Sequence, residues 1–313
     1  MSAEGGTKAV VAALFANLGI AITKFIAFLL TRSASMLAES IHSLADSGNQ
    51  VLLLVGKKRS ERAASPLHPF GYGRERYIYA FIVSIVLFSV GGLFALYEGW
   101  HKVNEPHPIE SWQWVPVVVL SVAIVLESLS FRTAILESNQ VRGKTGWKDF
   151  IRRSRSPELP VILLEDLGAL IGLVLALIGV VLTLVTHNGI FDGLGSMAIG
   201  LLLVVIAIVL AVEMKSLLIG ESATKEHVEK IEQAIDAEPL VDRIIHMKTL
   251  HVGPDELLVA VKVAVAASDS AEQVAAAINA AEQRIREAVP IARMIYIEPD
   301  LDRDREPVTS DQA

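Results

Sequence analysis

Cysteine is absent from all 313 residues, which excludes a disulfide framework and every thiolate metal site. Any metal chemistry must therefore use histidine and carboxylates. No HExxH pattern and no obvious nucleophile–base pair occurs, which argues against an intramembrane metalloenzyme. The glycines of "FGYGRER" lie in a basic stretch without a P-loop lysine pattern, so no nucleotide-driven chemistry is expected. The opening "MSAEGGTK" has neither a basic n-region nor a small-residue cleavage site, so no cleavable leader is expected. No internal repeat of fixed period is evident. Excess positive charge is also missing, since the formal net charge is −7. After Ser222 the chain has 18 acidic against 10 basic residues, so the acidity belongs to a separate tail, and nucleic acid is not an expected partner.

What is plentiful is apolar sequence, 52 % of residues, bunched into six stretches of about 20 residues. These are Val10–Leu30, Met36–Val55, Tyr79–Trp100, Trp114–Leu136, Val161–Val185 and Phe191–Met214. A soluble α/β core would break such runs into strands of about 4–8 residues. The pattern predicts an integral membrane protein in a lipid bilayer: an all-α bundle of six transmembrane helices over residues 1–222.

Cations set its orientation. The second connection carries Lys57, Lys58, Arg59, Arg62, Arg74 and Arg76, and the fourth carries Arg142, Lys144, Lys148, Arg152, Arg153 and Arg155. The opposite connections offer Arg32, then Lys102, then none in "THNGIFDG". Both cation-rich loops and both termini are expected on the cytoplasmic side. From Thr224 the pattern changes to helix, strand, the turn "GPDE", the alternating strand "LLVAVKVAV", helix and strand. That order predicts a small cytoplasmic α+β domain of α-β-β-α-β type over 223–300. The charged end, 301–313, is expected to be disordered.

Polar residues interrupt two of the spans. In "ESIHSLADSGNQ", Glu39, His42, Asp46 and Asn49 share one helical face. Ionisable groups at membrane depth cost roughly 2.5–3.5 kcal/mol each on insertion scales, so His42 and Asp46 are candidates for an ion path. Glu39 either joins that path or snorkels toward the helix end near Arg32. In "LLEDLGALIG", Glu165 extends a small-residue stripe of Gly168, Gly172, Ala176 and Gly179, while Asp166 lies about 100° round the helix. If the two polar spans adjoin, one or both acids face His42 and Asp46. The rival reading places Glu165 and Asp166 in a first helical turn begun by Pro160.

Taken together, "AESIHSLADSGNQ", "HPFGYGRERYIYAF" and "LLEDLGALIG" resemble the cation diffusion facilitator family, and the wording is most similar to the branch containing the animal mitochondrial zinc transporter. The resemblance spans nearly the whole chain and likens the tail to the family's metallochaperone-like domain. It implies a homodimeric six-span exporter of divalent metal, most often zinc. It assigns metal ligation to His42, Asp46 and Asp166. The family often places His or Asp where Ile162 stands, which makes Glu165 the nearest substitute ligand. His68 matches one histidine of a bacterial loop motif whose second position is Tyr72 here. In the tail, His246 and Glu298 fall near positions that bind metal in some members, but Tyr296 and Lys262 replace expected histidines. The tail therefore reads mainly as a dimerisation module, with regulatory metal binding left open.

A His-carboxylate set suits zinc, and Mn²⁺, Fe²⁺ or Co²⁺ accept it too. Metal binds deprotonated ligands, so its arrival releases protons. The expected activity is efflux of a divalent metal, zinc foremost, by proton antiport with alternating access, in the cell membrane. The partners are the ion, protons and a second copy of the chain; the metal is cargo and no cofactor is expected.

Overall fold

The computed structural model describes residues 3–107, 109 and 112–301, with side chains described from Asn17 onward. The chain divides into two compact units, one of Met1–Ala63 with Glu75–Leu218 and one of Ala64–Arg74 with Ile219–Ala313.

The first unit is a helical bundle of α1 (Ala3–Thr31), α2 (Ala34–Ser60), α3 (Glu75–Val86), α4 (Phe94–Asn104), α5 (Trp114–Arg142), α6 (Trp147–Arg153), α7 (Glu158–Thr186) and α8 (Ile190–Ile219). A π-helical segment, Leu87–Leu93, joins α3 to α4 into one long rod. Among the described residues four helices are long and apolar enough to cross a membrane: Glu75–Asn104, Trp114–Arg142, Glu158–Thr186 and Ile190–Ile219. The chain is thus an integral membrane protein. The sequence expectation of six spans is met by four helices on length and composition. Of α1, the residues with described side chains form a shorter apolar helix, Asn17–Thr31, and α2 is not among the four. Its polarity is turned inward, however, with Glu39 and Asn49 at 0 % exposure and His42 at 1 %. Hydropathy averages count such residues against a span wherever they point.

Two tight reversals give the bundle its antiparallel order. Arg32 (φ 56°) links α1 to α2, and His187 (φ 52°) ends α7 before α8, both in the left-handed conformation that terminates helices. Helix α1 runs along α2, α5 along α7, and α2 packs against α3 and α7. Glycines bring backbones together where α8 meets its neighbours. A Cβ on Gly99 would lie 2.6 Å from the Met197 nitrogen, one on Gly200 2.7 Å from the Leu96 nitrogen, and one on Gly179 2.9 Å from the Phe191 carbonyl. In lipid, where apolar burial gives helices little reason to associate, such close approach supplies the dispersion contacts that hold them. The α7 stripe therefore serves α8 as well as α2: Gly168 and Gly179 face Ile206 and Gly195, and only Gly172 meets Glu39.

The second unit contains α9 (Lys225–Asp236), β1 (Arg243–Gly253), β2 (Glu256–Val265), α10 (Ala271–Ala288) and β3 (Ala292–Leu301). The sheet order is β1-β2-β3, with β1 antiparallel and β2–β3 parallel, the latter joined through α10. Alternation in β2 buries Leu257, Val259, Val261 and Val263 in a core with Ile231, Ile235 and Ile285, and leaves Leu258, Ala260 and Lys262 half-buried on the other face. Thr224 caps α9, and a reciprocal Ser270–Gln273 capping box starts α10. The charged tail expected to be disordered lies, from residue 302, outside the described residues, while Leu301 closes β3.

Candidate metal site

The start of α2 is fixed from outside its own helix. Ser33 caps it by accepting from the Met36 amide at 3.3 Å. Asp192, in the first turn of α8, accepts from the Ala34 amide at 2.6 Å, the Ser35 amide at 3.2 Å and the Ser33 hydroxyl at 2.7 Å. A carboxylate there satisfies otherwise unpaired amides and meets the positive end of the helix dipole. From that clamp the helix carries Glu39, His42, Asp46 and Asn49 down its buried face.

One turn separates His42 from Asp46, and His42 Nδ1 stands 3.5 Å from Asp46 Oδ1. The imidazole also abuts the π segment, where a Cβ on Gly91 would lie 3.9 Å from Nδ1. Such segments concentrate at functional sites because the extra residue re-aims backbone and side chains. Asn49 donates to Glu165 Oε1 at 2.7 Å, tying α2 to α7, and Ser130 of α5 donates to Asp166 Oδ2 at 3.0 Å. Asp46, Glu165 and Asp166 line one small cavity, of ≈ 20 Å³, with Ser43, Gln50 and Glu127. A volume of that order accommodates one water-sized species.

Of the expected ligands, the structure brings Asp46, Glu165 and Asp166 to this cavity; His42 touches Asp46 but is not among the lining residues. Among the described residues no group of three or more His, Asp or Glu side chains is placed to hold a metal ion. The same residues do leave polar atoms without partners. Both ring nitrogens of His42 and Oδ1 of Asp46 are buried without a hydrogen-bond partner. Buried polar atoms are nearly always satisfied, so these orphans near clustered carboxylates mark a pocket with unmet polar capacity. Glu165 and Asp166 lie two turns inside α7, whose first turn carries Glu158, so the helix-start reading of the pair is overturned.

Several participants escaped sequence reasoning. Glu39 does not approach Arg32; it forms a 2.9 Å ion pair with Lys24 of α1, and the Lys24 ammonium also donates to Ser43 at 2.8 Å. A lone lysine in "AITKFIAFLL" was the available signal. Asn49, which in sequence only shares the polar face, orients Glu165. Glu127 of α5, which in sequence could equally line a route or sit near an interface, lines the cavity, while Ser130 gave no sequence signal. Arg76 pairs with Glu158 at 2.5 Å, as a basic-loop residue reaching a neighbouring helix end would.

The accessory positions gather no further donors. His68 stacks on Tyr72 with ring centroids 4.7 Å apart. Lys262 lies in register between His246 and Glu298, with its ammonium 2.8 Å from Asp300 and 3.2 Å from Glu298. Hydrogen bonds to Asp300 and Glu298 hold that ammonium above its ordinary pKa, so a fixed cation stands where a metal would need anions.

Residues 10–219 match the family model described as the cation efflux transmembrane domain, a transport domain rather than an enzyme. Over 253 residues the chain is 35 % identical to the mitochondrial proton-coupled zinc antiporter SLC30A9 of Mus musculus, covering 80 % of this chain and 44 % of that protein. It is 29 % identical over 249 residues to metal tolerance protein C4 of Arabidopsis thaliana, covering 79 % and 54 %. A variant MamM CTD in a nickel form aligns with 26 % of this chain and 100 % of its own at 15 % identity, with a TM-score of 0.24. The chain spans under half the length of the mouse relative. With two-thirds of its length inside the transmembrane model, the chain belongs to the cation efflux family.

Proposed function

We propose that the protein exports a divalent metal cation, zinc foremost, in exchange for protons. The observation that carries this reading is the convergence of Asp46, Glu165 and Asp166 on one small cavity between α2 and α7, with His42 against Asp46. His42, Asp46 and Asp166 would ligate the ion, with Glu165 or water as the fourth ligand, a tetrahedral N/O set at about 2.0–2.2 Å. Since the described geometry holds these donors close without a closed shell, small side-chain movements would complete the cradle on loading. Metal arrival displaces protons from the ligands, and returning protons expel it, which couples the two fluxes. Alternating access then exposes the cradle to each side in turn.

In this reading α1 and α2 cross the bilayer with the four apolar helices, making six spans. The cation-rich ends, 57–76 and 142–155, face the cytoplasm of the cell together with both termini. The second unit mediates homodimerisation; the 57 % exposed Tyr296 on β3 suits a contact surface. Carboxylate richness also favours Mn²⁺, Fe²⁺ or Co²⁺, which makes metal choice a question of geometry. The test is zinc uptake into proteoliposomes under a pH gradient, with Mn²⁺, Fe²⁺ and Co²⁺ as competitors. Native protein should transport and Asp46→Ala should not; equal rates would sink the assigned cradle.

A further inference from the structure

Lys24 and Glu39 are a charged pair inside the bundle that the cradle does not use. The Lys24 ammonium lies 2.9 Å from Glu39 Oε2 and 2.8 Å from Ser43 Oγ, with Lys24 3 % and Glu39 0 % exposed. The second carboxylate oxygen, Glu39 Oε1, is buried with no hydrogen-bond partner and points at α7, where a Cβ on Gly172 would stand 2.9 Å away. Gly172 is therefore what leaves room for that oxygen between the helices.

The pair has a consistent position relative to the cavity. On α1 the cavity touches Asn17 and Ile20, and Lys24 follows one turn later. On α2 it touches Gln50, Asp46 and Ser43, and Glu39 lies one turn further toward the helix start. On α7 it touches Ile162, Glu165 and Asp166, and Gly172 comes about two turns beyond. All three helices place the pair between the cradle and the bundle end that carries the Arg32 and His187 reversals. Ser43 belongs to both places, since it lines the cavity and accepts from Lys24.

We infer that Glu39 and Ser43 form a second divalent-cation site on the exit side of the cradle, occupied at rest by the Lys24 ammonium, which the passing ion displaces. The inference rests on the transport reading above. Its chemistry is that of a hard oxygen site: a carboxylate with one free oxygen and a hydroxyl, already selected to hold a positive charge. Lysine suits the part of a removable plug, being a point charge on a flexible four-carbon stem. A divalent ion leaving Asp46 meets that fixed charge first and advances only if Lys24 withdraws. The pair thus bars passage in the absence of cargo and offers the next ligands once it moves.

The experiment uses the full chain, with Zn²⁺ as probe, in proteoliposomes under a pH gradient and by calorimetry in detergent. K24M/E39Q removes both charges, so neither is left buried alone. It should unfold near the native temperature, bind Zn²⁺ at the cradle as the native protein does, and transport at least about tenfold more slowly, as E39Q should. K24M should bind one Zn²⁺ per chain more than the native protein, and K24M/E39Q should lose that surplus. Native-rate transport by K24M/E39Q would overturn the inference, leaving the pair a structural tie, and so would the absence of surplus binding by a folded K24M. Where K24M does not fold, the rate of the double variant decides. A native rate in D46A would instead refute the cradle itself, so the two failures are distinguishable.

Discussion

Replacing Asp192 by alanine should loosen the start of α2 from α8, leaving the Ser35 hydroxyl still donating to the Asp192 carbonyl at 2.9 Å. Three donors lose their acceptor: the Ser33 hydroxyl at 2.7 Å, the Ala34 amide at 2.6 Å and the Ser35 amide at 3.2 Å. Ser33 can turn to other acceptors, but the two amides stay buried, and each unsatisfied buried donor costs about 1–3 kcal/mol. A loss of about 3 kcal/mol is the central expectation, and at roughly 2–4 °C per kcal/mol for a unit of this size the unfolding temperature should fall by about 6–12 °C. Asp192→Asn keeps one acceptor oxygen and should lose about half as much. The assay is thermal unfolding in detergent, paired with hydrogen exchange of the amides at 34–36. Those amides should exchange faster in the alanine variant while those of α5 do not. An unfolding temperature within about 2 °C of native, with unchanged exchange at 34–36, would refute the view that this carboxylate holds the helix.

Other expectations concern the cradle, the packing and the second unit. Asn49→Leu removes the donor that orients Glu165, and by analogy with outer partners of metal ligands it should weaken Zn²⁺ binding about 10–100-fold in calorimetry without changing its stoichiometry. Gly99→Ala places a Cβ 2.6 Å from the Met197 nitrogen and 2.7 Å from the Gly193 carbonyl, and should cost about 1–3 kcal/mol of overpacking. Gly19→Ala, with nothing within 4 Å, should be neutral or stabilising, and equal unfolding temperatures for the two variants would contradict the packing. Burial pushes the Glu256 carboxyl above its ordinary pKa of 4.5, with the Arg293 charge only partly opposing it. The folded unit therefore favours the protonated form and loses stability as pH rises from 4.5 through the raised value. Glu256→Gln should remove that slope, read as hydrogen-exchange protection of β2 from pH 4.5 upward; an unchanged slope would assign it to another group.

Legibility followed the range of the interactions. His42 and Asp46 could be paired from their i, i+4 spacing alone, and Glu165 and Asp166 stood out because carboxylates are costly inside an apolar run. The α-β-β-α-β order of the second unit was readable because alternation in "LLVAVKVAV" and the caps at Thr224 and Ser270 are local signals. Lys24 was visible as a lone cation, but its partner could not be assigned without the relative rotation of α1 and α2. Asp192 drew no notice in sequence, since nothing in "THNGIFDG" says that a helix start 157–159 residues away will sit on it. The π segment hides for another reason. Its Gly91–Gly92 pair marks a tight approach, and an inserted residue leaves hydropathy untouched.

The anchoring of Ser33–Ser35 on Asp192 makes α2 a lever. With its first turn pinned to α8, the helix can reorient only by swinging about that end, and displacement grows with distance along the axis. At 1.5 Å per residue, a tilt of about 5° would carry Asp46 by about 1.6 Å and Ser60 by about 3.4 Å, while Ala34 stays in place. A shift of that order at Asp46 is enough to make or break a coordination bond. The same stroke at the basic end of the helix would be twice as large, so under the proposed function one rotation would both shift Asp46 in the cradle and move Lys57–Arg59.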